Sequence, residues 1–174
     1  MATRSLISGA FLLIASTTIV LAQAATPIGS FRAWNAYTYS DGEGKSCYIA
    51  SQPQSSKYSR EISGRDPAFF LITTRVSSDP QKTVRNEVST IIGYPFKADS
   101  NVTVAVDGQS FTMFTREDNA WFTDRNTEAS FVAAMKAGTT MTVEGTSGRG
   151  TVTTDTYSLS GVTAGLDAIA KACP

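Results

Sequence analysis

The sequence has 174 residues, of which 41% are hydrophobic and 17% charged, and it contains 15 basic side chains, 15 acidic side chains and no histidine. The balanced and scattered charge excludes the basic footprint of a nucleic-acid-binding protein and the basic cluster that holds a protein on anionic lipid. The absence of histidine removes the usual general base near neutral pH and the commonest transition-metal ligand.

The N-terminal residues have the pattern of an export signal. Arg4 precedes a mostly apolar stretch over residues 6–21, and residues 22–24 (Ala-Gln-Ala) provide the small residues that signal peptidase reads. A membrane anchor is disfavoured because the stretch is shorter than the ~20 apolar residues that span a bilayer and is diluted by serine, glycine and threonine. We predict a signal peptide over residues 1–24 and one periplasmic, secreted or cell-surface domain over residues 25–174, with no stable membrane insertion after cleavage.

The two cysteines, Cys47 and Cys173, predict a disulfide, because an exported chain reaches an oxidising compartment. The alternative is a redox-active pair, which usually needs a Cys-x-x-Cys loop or a neighbour that stabilises the thiolate, and neither is visible. A bridge that closes nearly the whole mature domain stabilises it by about 5 kcal/mol in the chain-entropy model. We therefore expect the mature protein to carry no free thiol.

Alternation with a period of two residues dominates the chain after the predicted signal. In the first half it predicts extended runs at 31–39, 47–50, 69–74 and 88–92, with a turn at 41–44 and a polar loop at 53–66. The run at 69–74 is apolar on both faces and rich in β-branched residues, which is typical of a central strand buried on two sides.

The second half contains two predicted hairpins. Asp107-Gly108 separates two alternating runs, and an Asp-Gly pair in this position indicates a type I′ turn, whose central residues both need positive φ. A second, threonine-rich hairpin is predicted around the glycine-rich segment 145–150. The strands of the two hairpins are predicted at 102–106, 110–114, 140–146 and 151–157, and a further short strand is predicted at 120–122.

Two segments have helical signals. Thr127 is a candidate N-cap for a helix over 128–137 that ends at Gly138. At the C-terminus, apolar residues recur at helical spacing, and Cys173 lies on the same stripe, so the disulfide would tie this helix to the strand that holds Cys47. The stripe consists of Val162, Leu166, Ile169, Ala170 and Cys173. About eight short strands with two short helices favour a single antiparallel β-sandwich or barrel.

The acidic residues are the remaining source of catalytic groups. The candidates are Glu87, Asp107, Asp118, Asp124, Glu144 and Asp155. Their spacing pairs no two of them for glycosidase-type work, which needs carboxyl groups about 5–10 Å apart, so we assign no catalytic residue. With both cysteines bridged, a zinc site would have only oxygen ligands, a poor set for that metal. We predict no metal site and no cofactor.

Three residues are candidate contacts for a binding partner. The segment 145–150 superficially resembles a phosphate-binding loop, but Lys-Ser/Thr and a following helix are missing, so a hairpin turn is favoured. Arg149 at its tip is a candidate because a guanidinium on a loop can bind a carboxylate or phosphate. Trp121 and Tyr157 are candidates because exposed aromatic side chains mark partner sites, although aromatic residues in this chain are more often expected in the core.

Six segments carry a family resemblance: 44–53, 65–68, 84–89, 93–97, 119–121 and, as the longest motif, 145–161 (Gly-Thr-Ser-Gly-Arg-Gly-Thr-Val-Thr-Thr-Asp-Thr-Tyr-Ser-Leu-Ser-Gly). They are similar to bacterial invasion-associated locus B proteins, and the likeness extends over residues 34–173. The resemblance implies an exported protein with an immunoglobulin-like β-sandwich fold, in a family named for a link to host-cell entry. The family has no established catalytic residues, so only the two cysteines take a role from it.

We therefore predict a non-enzymatic envelope or surface protein that binds a protein, glycan or envelope component, with Arg149, Trp121 and Tyr157 as contacts. No nucleic-acid partner is expected. One alternative is a carboxylate-based periplasmic hydrolase or carbohydrate-active enzyme, which would show a cleft with two acids, one of them with a raised pKa. Another is an envelope stress or structural factor with no small ligand.

Overall fold

The computed structural model describes residues 24–40 and 44–174. The predicted signal peptide, apart from Ala24, and the first three residues of the predicted turn at 41–44 lie outside the described residues. Within the two described ranges, no helix has the length and apolar character needed to cross a membrane.

The described ranges form eleven strands, two α-helices and one 3-10 turn at Pro80–Lys82. The strands are β1 (Thr26–Phe31), β2 (Trp34–Ser40), β3 (Gly44–Ser51), β4 (Ser55–Tyr58), β5 (Phe69–Ser77), β6 (Val84–Ile91), β7 (Asn101–Val106), β8 (Gln109–Arg116), β9 (Asn119–Trp121), β10 (Thr140–Thr146) and β11 (Val152–Ser158). The helices are α1 (Arg125–Ala137) and α2 (Val162–Ala172). The mainly β prediction is confirmed, but the expected strand number was too low. The run at 31–39 corresponds to β2, whereas β1 precedes it and was not predicted, and β4 lies inside the segment predicted to be a polar loop.

All strand pairs in the described sheet are antiparallel, in the order β1-β2-β3-β5-β6-β9-β8-β7-β10-β11-β4. Contacts between distant strands show that this sheet folds over on itself. The ring of Phe70 in β5 packs edge-on against Tyr157 in β11, with centroids 5.9 Å apart. The indole N–H of Trp34 in β2 donates to the Ser158 carbonyl at 3.0 Å. The two halves of the strand order therefore face each other as the layers of a β-sandwich around one core.

The central position of the predicted strand, now β5, and both hairpins are confirmed, but the predicted burial of this strand on two sides is wrong. β5 pairs with β3 on one side and β6 on the other. Its side chains alternate between fully buried and partly exposed, so one face lies in the core and the other contributes to the outer surface. Asp107 and Gly108 have φ values of 44° and 94°, as the type I′ turn requires. The second hairpin joins β10 to β11 in continuous register.

Helix α1 fills the place where strand pairing stops. β9 pairs with β6 only as far as Ser89 opposite Trp121. The next N–H along β6, that of Val88, donates instead to the carboxylate of Glu128 in α1 at 2.7 Å. The helix therefore satisfies a buried backbone donor that has no strand partner. Phe131 anchors α1 in the core against Phe70, Phe111 and Phe122 at centroid distances of 5.8, 5.2 and 5.1 Å.

The N-cap of α1 differs from the prediction. Asp124, not Thr127, is the cap, and its carboxylate accepts the backbone N–H groups of Asn126 and Thr127 at 3.3 and 2.7 Å. The hydroxyl of Thr127 also donates to Asp124 at 2.6 Å, so Thr127 supports the cap from inside the helix. Two carboxylate oxygens can receive both N–H groups, which one hydroxyl cannot do as well. The predicted end of the helix at Gly138 is confirmed.

The cap predicts a pH-dependent loss of stability. Hydrogen bonds from the side chain and backbone of Thr127 and the backbone of Asn126 lower the pKa of Asp124. A lowered folded-state pKa stabilises the fold above the unfolded value, about 3.9, and this contribution is lost as the pH falls through the folded-state value. We expect Asp124→Ala to lower the melting temperature at pH 7, and the difference from wild type to shrink below about pH 4. Thermal unfolding of both proteins at several pH values measures this difference in melting temperature.

The matched control for this prediction is Asp124→Asn. Asparagine caps helices but does not titrate, so this variant should retain more stability than Asp124→Ala at pH 7 and keep the same advantage over it at low pH. A constant difference between wild type and Asp124→Ala from pH 7 to pH 3 would show that the carboxylate charge does not stabilise the helix.

Helix α2 is tied to the sheet at its C-terminal end. Cys47 in β3 and Cys173 form a disulfide with a Cα–Cα distance of 6.0 Å, which confirms the predicted tether. The helix lies so close to β3 that a Cβ on Gly165 would be 3.0 Å from Ile49. Lys45 donates to the Ala172 carbonyl at 2.7 Å, a favourable position for a cation at a helix C-terminus.

Candidate partner-binding site

One face of the sheet is left open by the helices, and we call it the outer face. Directly paired residues of neighbouring strands point to the same side of a sheet. The register places Leu71 opposite Ser89, Ser89 opposite Trp121, and Trp121 opposite Phe114. These side chains are partly or largely exposed. The body of both helices packs against the other, buried face.

A groove of about 360 Å³ lies on the outer face beside the first turn of α1. We call it the Phe114–Trp121 groove. Its walls include Glu87, Phe114, Arg116, Trp121, Arg125 and Glu128. The rings of Phe114 and Trp121 are 5.7 Å apart at an interplanar angle of 31°. Phe114 is 39% exposed, which is unusual for a large apolar side chain in this protein.

The short β8–β9 hairpin creates this aromatic pair. Glu117 in its connection has a φ of 57°, and the two strands then pair from Arg116 opposite Asn119 to Phe114 opposite Trp121. Cross-strand aromatic neighbours are close enough for their rings to contact directly. Met113 and Ala120, which adjoin the pair in sequence, are fully buried. The hairpin is therefore anchored in the core and holds Phe114 and Trp121 outward.

The groove leaves one guanidinium without an acidic partner. Glu87 is paired with Arg75 at 2.6 Å, and Glu128 is paired with Arg125 at 3.0 Å. Glu128 also accepts the buried N–H of Val88. Within residues 24–40 and 44–174, Arg116 makes no ion pair. The arrangement can therefore bind an apolar group against the rings and a carboxylate or phosphate at Arg116.

The structure separates the three predicted contact residues. Trp121 is in the groove. Arg149 is exposed at the tip of the β10–β11 hairpin, where its carbonyl accepts from the guanidinium of Arg60, and its side chain does not line the groove. Tyr157 is fully buried, so its prediction as a partner contact is wrong. In β11 the side chain of Tyr157 points into the core with Thr153 and Asp155, and burial raises the pKa of the Tyr157 hydroxyl.

Sequence reasoning missed Phe114 and Arg116. The alternation over 110–114 predicts an ordinary hairpin strand, with its aromatic residues in the core. The signal that could have identified them is the alternation of side chains between the two faces of the strand. Phe111 and Met113 share one face of β8, whereas Phe114 and Arg116 share the other, and the core can take only one of the two.

Three of the six acidic candidates, Asp107, Asp124 and Asp155, stabilise the fold. Asp107 accepts the backbone N–H groups of Thr139 and Thr140 at 2.8 and 3.0 Å, and these bonds lower its pKa. Asp124 caps α1, and Asp155 lies in a buried ion pair. Glu87 instead lines the groove, where Glu128 provides a second carboxylate. In the part of the chain that the structure describes, no three acidic or sulfur ligands converge on a position that could hold a metal ion.

Comparison with known proteins gives the family. The model of the family described as invasion associated locus B (IalB) protein matches residues 34–170. The chain belongs to the IalB family. No curated protein matches it in sequence. Among solved structures it is similar to the invasion associated protein B of Bartonella henselae, with a TM-score of 0.55 and 13% identity over 86% of this chain and 97% of that one. At this identity the likeness shows the IalB fold alone.

Proposed function

We propose that this IalB-family chain is an exported, non-enzymatic protein of the bacterial envelope or surface that binds a protein partner through the Phe114–Trp121 groove. The observation that carries the proposal is the tilted ring pair of exposed Phe114 and half-buried Trp121, beside Arg116, which makes no ion pair with a described residue. Tryptophan and arginine are enriched among the residues that dominate interface energetics. The N-terminal export pattern and the disulfide support a location outside the cytoplasm. The family description adds host-cell invasion as the proposed setting.

The groove chemistry describes the surface that the partner presents. An apolar side chain would pack against Phe114 and Trp121, and a carboxylate would pair with Arg116. Glu128 is buried and bound by both Arg125 and the Val88 N–H, so this part of the polar wall is ordered before a partner binds. The partner site is therefore an apolar residue flanked by an acidic one.

Replacement of Trp121 by alanine is expected to weaken partner binding by about 30-fold or more, the effect of removing a residue that contributes at least about 2 kcal/mol. A photoreactive amino acid in place of Thr123, an exposed residue of the groove, would trap the partner in intact cells. Mass spectrometry of the adduct identifies it, and titration of the purified pair gives the affinity. The control is Tyr58→Ala, because Tyr58 is 41% exposed on the edge strand β4 and lies outside the groove.

Two arginine variants locate the rest of the surface. Arg116→Ala should weaken binding together with Trp121→Ala. If the hairpin tip is also part of the surface, as we propose, Arg149→Ala should weaken binding without a change in melting temperature. Unchanged binding by Arg149→Ala would remove the tip from the interface. Unchanged binding by both Trp121→Ala and Arg116→Ala would overturn the proposed groove.

A carboxylate hydrolase is the second candidate, because Glu87 and Glu128 line one groove. Against it, both carboxylates are engaged by arginines, and Glu128 also binds a backbone N–H. The two functions differ in the effect of Glu87→Gln. Polysaccharide or peptide cleavage that wild type performs and Glu87→Gln lacks would replace the binding proposal with an enzyme.

A further inference from the structure

A second groove, of about 560 Å³, lies on the outer face between β2, β3 and β5. We call it the Tyr37–Tyr48 groove, and its volume is within the range of about 300–1,000 Å³ found for small-molecule sites. Its walls include Asn35, Tyr37, Tyr48, Gln52, Gln54 and Leu71. Of the described residues, none lines both this groove and the Phe114–Trp121 groove.

Two tyrosines stacked on each other line this groove. Tyr37 and Tyr48 are directly opposite each other in β2 and β3, and their rings are stacked at 5.2 Å with an interplanar angle of 24°. Leu71 and Phe69 of β5 extend the apolar surface. Burial, together with the neighbouring Tyr37, raises the pKa of Tyr48. A tyrosine hydroxyl is protonated at neutral pH in any case, so that of Tyr48 can donate a hydrogen bond.

The polar rim of the groove consists of amides rather than charges. Asn35, Gln52 and Gln54 are exposed, and each amide can donate and accept at once. The oxygen of Asn35 accepts from Ser30 at 2.7 Å, which leaves its N–H₂ group free to face a ligand. Among the residues that the structure describes, no acidic or basic side chain lines the groove. This donor and acceptor set suits a ligand that is rich in hydroxyl groups and carries no charge.

We propose that the Tyr37–Tyr48 groove binds a neutral saccharide. A sugar ring has a face of C–H groups that packs on an aromatic ring, and an edge of hydroxyls that both donate and accept hydrogen bonds. A charged ligand would lose its hydration here without gaining an opposite charge. An acyl chain would leave the three amides without partners. The saccharide site uses residues different from those of the proposed protein-binding groove, so either can fail without the other.

The two sites are neighbours. Leu71 borders the Tyr37–Tyr48 groove, and Trp121 of the other groove is two strands away in the same row, a separation of about 10 Å at the usual strand spacing. A partner that carries a glycan could therefore reach both grooves at once.

The test is calorimetric titration of the mature protein with defined neutral oligosaccharides and with acidic ones of similar length. One arm uses fragments of bacterial polysaccharides and the other uses host-type glycans, which distinguishes the two sources. We expect saturable binding of a neutral oligosaccharide and weaker or undetectable binding of the acidic ones. Absence of binding to every neutral oligosaccharide at millimolar concentration would overturn the proposal.

Variants locate the binding in the groove. Tyr48→Ala should lower the affinity about tenfold or more, and Gln52→Ala, outside the regular strands, should weaken it without disturbing the sheet. Tyr58→Ala and Trp121→Ala are controls that should leave a short oligosaccharide bound as in wild type. Binding that survives both Tyr48→Ala and Gln52→Ala would place the saccharide elsewhere and contradict the assignment.

Discussion

Simultaneous replacement of Cys47 and Cys173 by alanine is expected to lower the free energy of unfolding by up to about 5 kcal/mol. The disulfide joins residues 126 positions apart, so it restricts most of the unfolded mature chain. A loss of this size is a large fraction of the 5–15 kcal/mol or so that stabilises a typical domain. Both cysteines are fully buried, so their replacement also removes packed volume from the core.

The structural consequence should concentrate in α2. The disulfide ties the C-terminal end of this helix to β3, and Leu166 and Ile169 hold its buried face in the core. Without the bridge, the last turn of α2 should exchange its amide hydrogens faster than β5 at the centre of the sheet. Hydrogen exchange of the double variant measures this difference.

Urea unfolding of the double variant and of wild type with and without reductant tests the stability prediction. Reduced wild type should unfold at a urea concentration near the midpoint of the double variant. Reduced wild type is the control for lost packing, because it lacks the disulfide but keeps both cysteine side chains. The unreduced, denatured wild-type protein should contain no reactive thiol. Two reactive thiols, or equal midpoints for wild type with and without reductant, would contradict the prediction.

Local chemistry made part of this fold predictable. The Asp107-Gly108 turn, the apolar stripe of α2 and the disulfide each depend on residue types whose preference is strong over a short stretch. β4 was not predictable in the same way. Its sequence, Ser-Ser-Lys-Tyr, has no apolar alternation, and it is a strand because it pairs with β11 about a hundred residues further on, as in the contact of Ser56 with Asp155 at a separation of 99.

The residues of the candidate site likewise differ in whether local sequence could identify them. Trp121 could be selected as an aromatic residue in a short strand, but its partner Phe114 is identified only by the pairing of β8 with β9. Tyr157 was misplaced because β11 carries threonine and aspartate on its buried face. A strand with polar residues on both faces gives no signal of which side is inside. Asp155 faces inward there because it pairs with the buried Arg65, and Thr153 because it is hydrogen-bonded to the Tyr94 hydroxyl.

The buried ion pair between Arg65 and Asp155 leads to the second large prediction. The two guanidinium N–H₂ groups of Arg65 contact the two carboxylate oxygens of Asp155 at 2.7 and 2.5 Å, and Ser56 donates to the same carboxylate at 2.5 Å. The side chains are 7% and 0% exposed. Burial alone would lower the pKa of Arg65, but the hydrogen bond and charge of Asp155 outweigh it and hold that pKa above its usual value.

Further contacts of Arg65 make this pair a junction between the layers. Its Nε–H donates to the Ile92 carbonyl at 2.6 Å, and its guanidinium lies 5.2 Å from the centre of the Tyr94 ring. The Tyr94 hydroxyl is hydrogen-bonded to Thr153 of β11 at 2.5 Å. The segment before β5, the end of β6 and β11 are therefore held at one point by a single guanidinium.

Asp155→Ala is expected to lower the free energy of unfolding by about 3–5 kcal/mol, because it leaves the Arg65 guanidinium buried without a counter-charge. The matched control is Glu87→Ala, which breaks the exposed pair with Arg75 and should cost no more than about 1 kcal/mol. Urea unfolding of both variants gives the two values. A cost for Asp155→Ala no larger than that for Glu87→Ala would show that water reaches Arg65 in solution.

The double variant Arg65→Met/Asp155→Leu distinguishes two contributions to the free energy of unfolding: the net contribution of the ion pair, and the cost of leaving the Arg65 charge buried without a counter-charge. Burial of a charge pair costs desolvation that an apolar pair of similar volume avoids, so the double variant should be more stable than Asp155→Ala. It still loses the bonds of Arg65 to the Ile92 carbonyl and of Ser56 to the carboxylate, so its stability should remain below that of wild type. If the double variant is as unstable as Asp155→Ala, the hydrogen bonds of Arg65 to the Ile92 carbonyl and of Ser56 to the carboxylate, rather than the attraction between the Arg65 and Asp155 charges, hold the layers together.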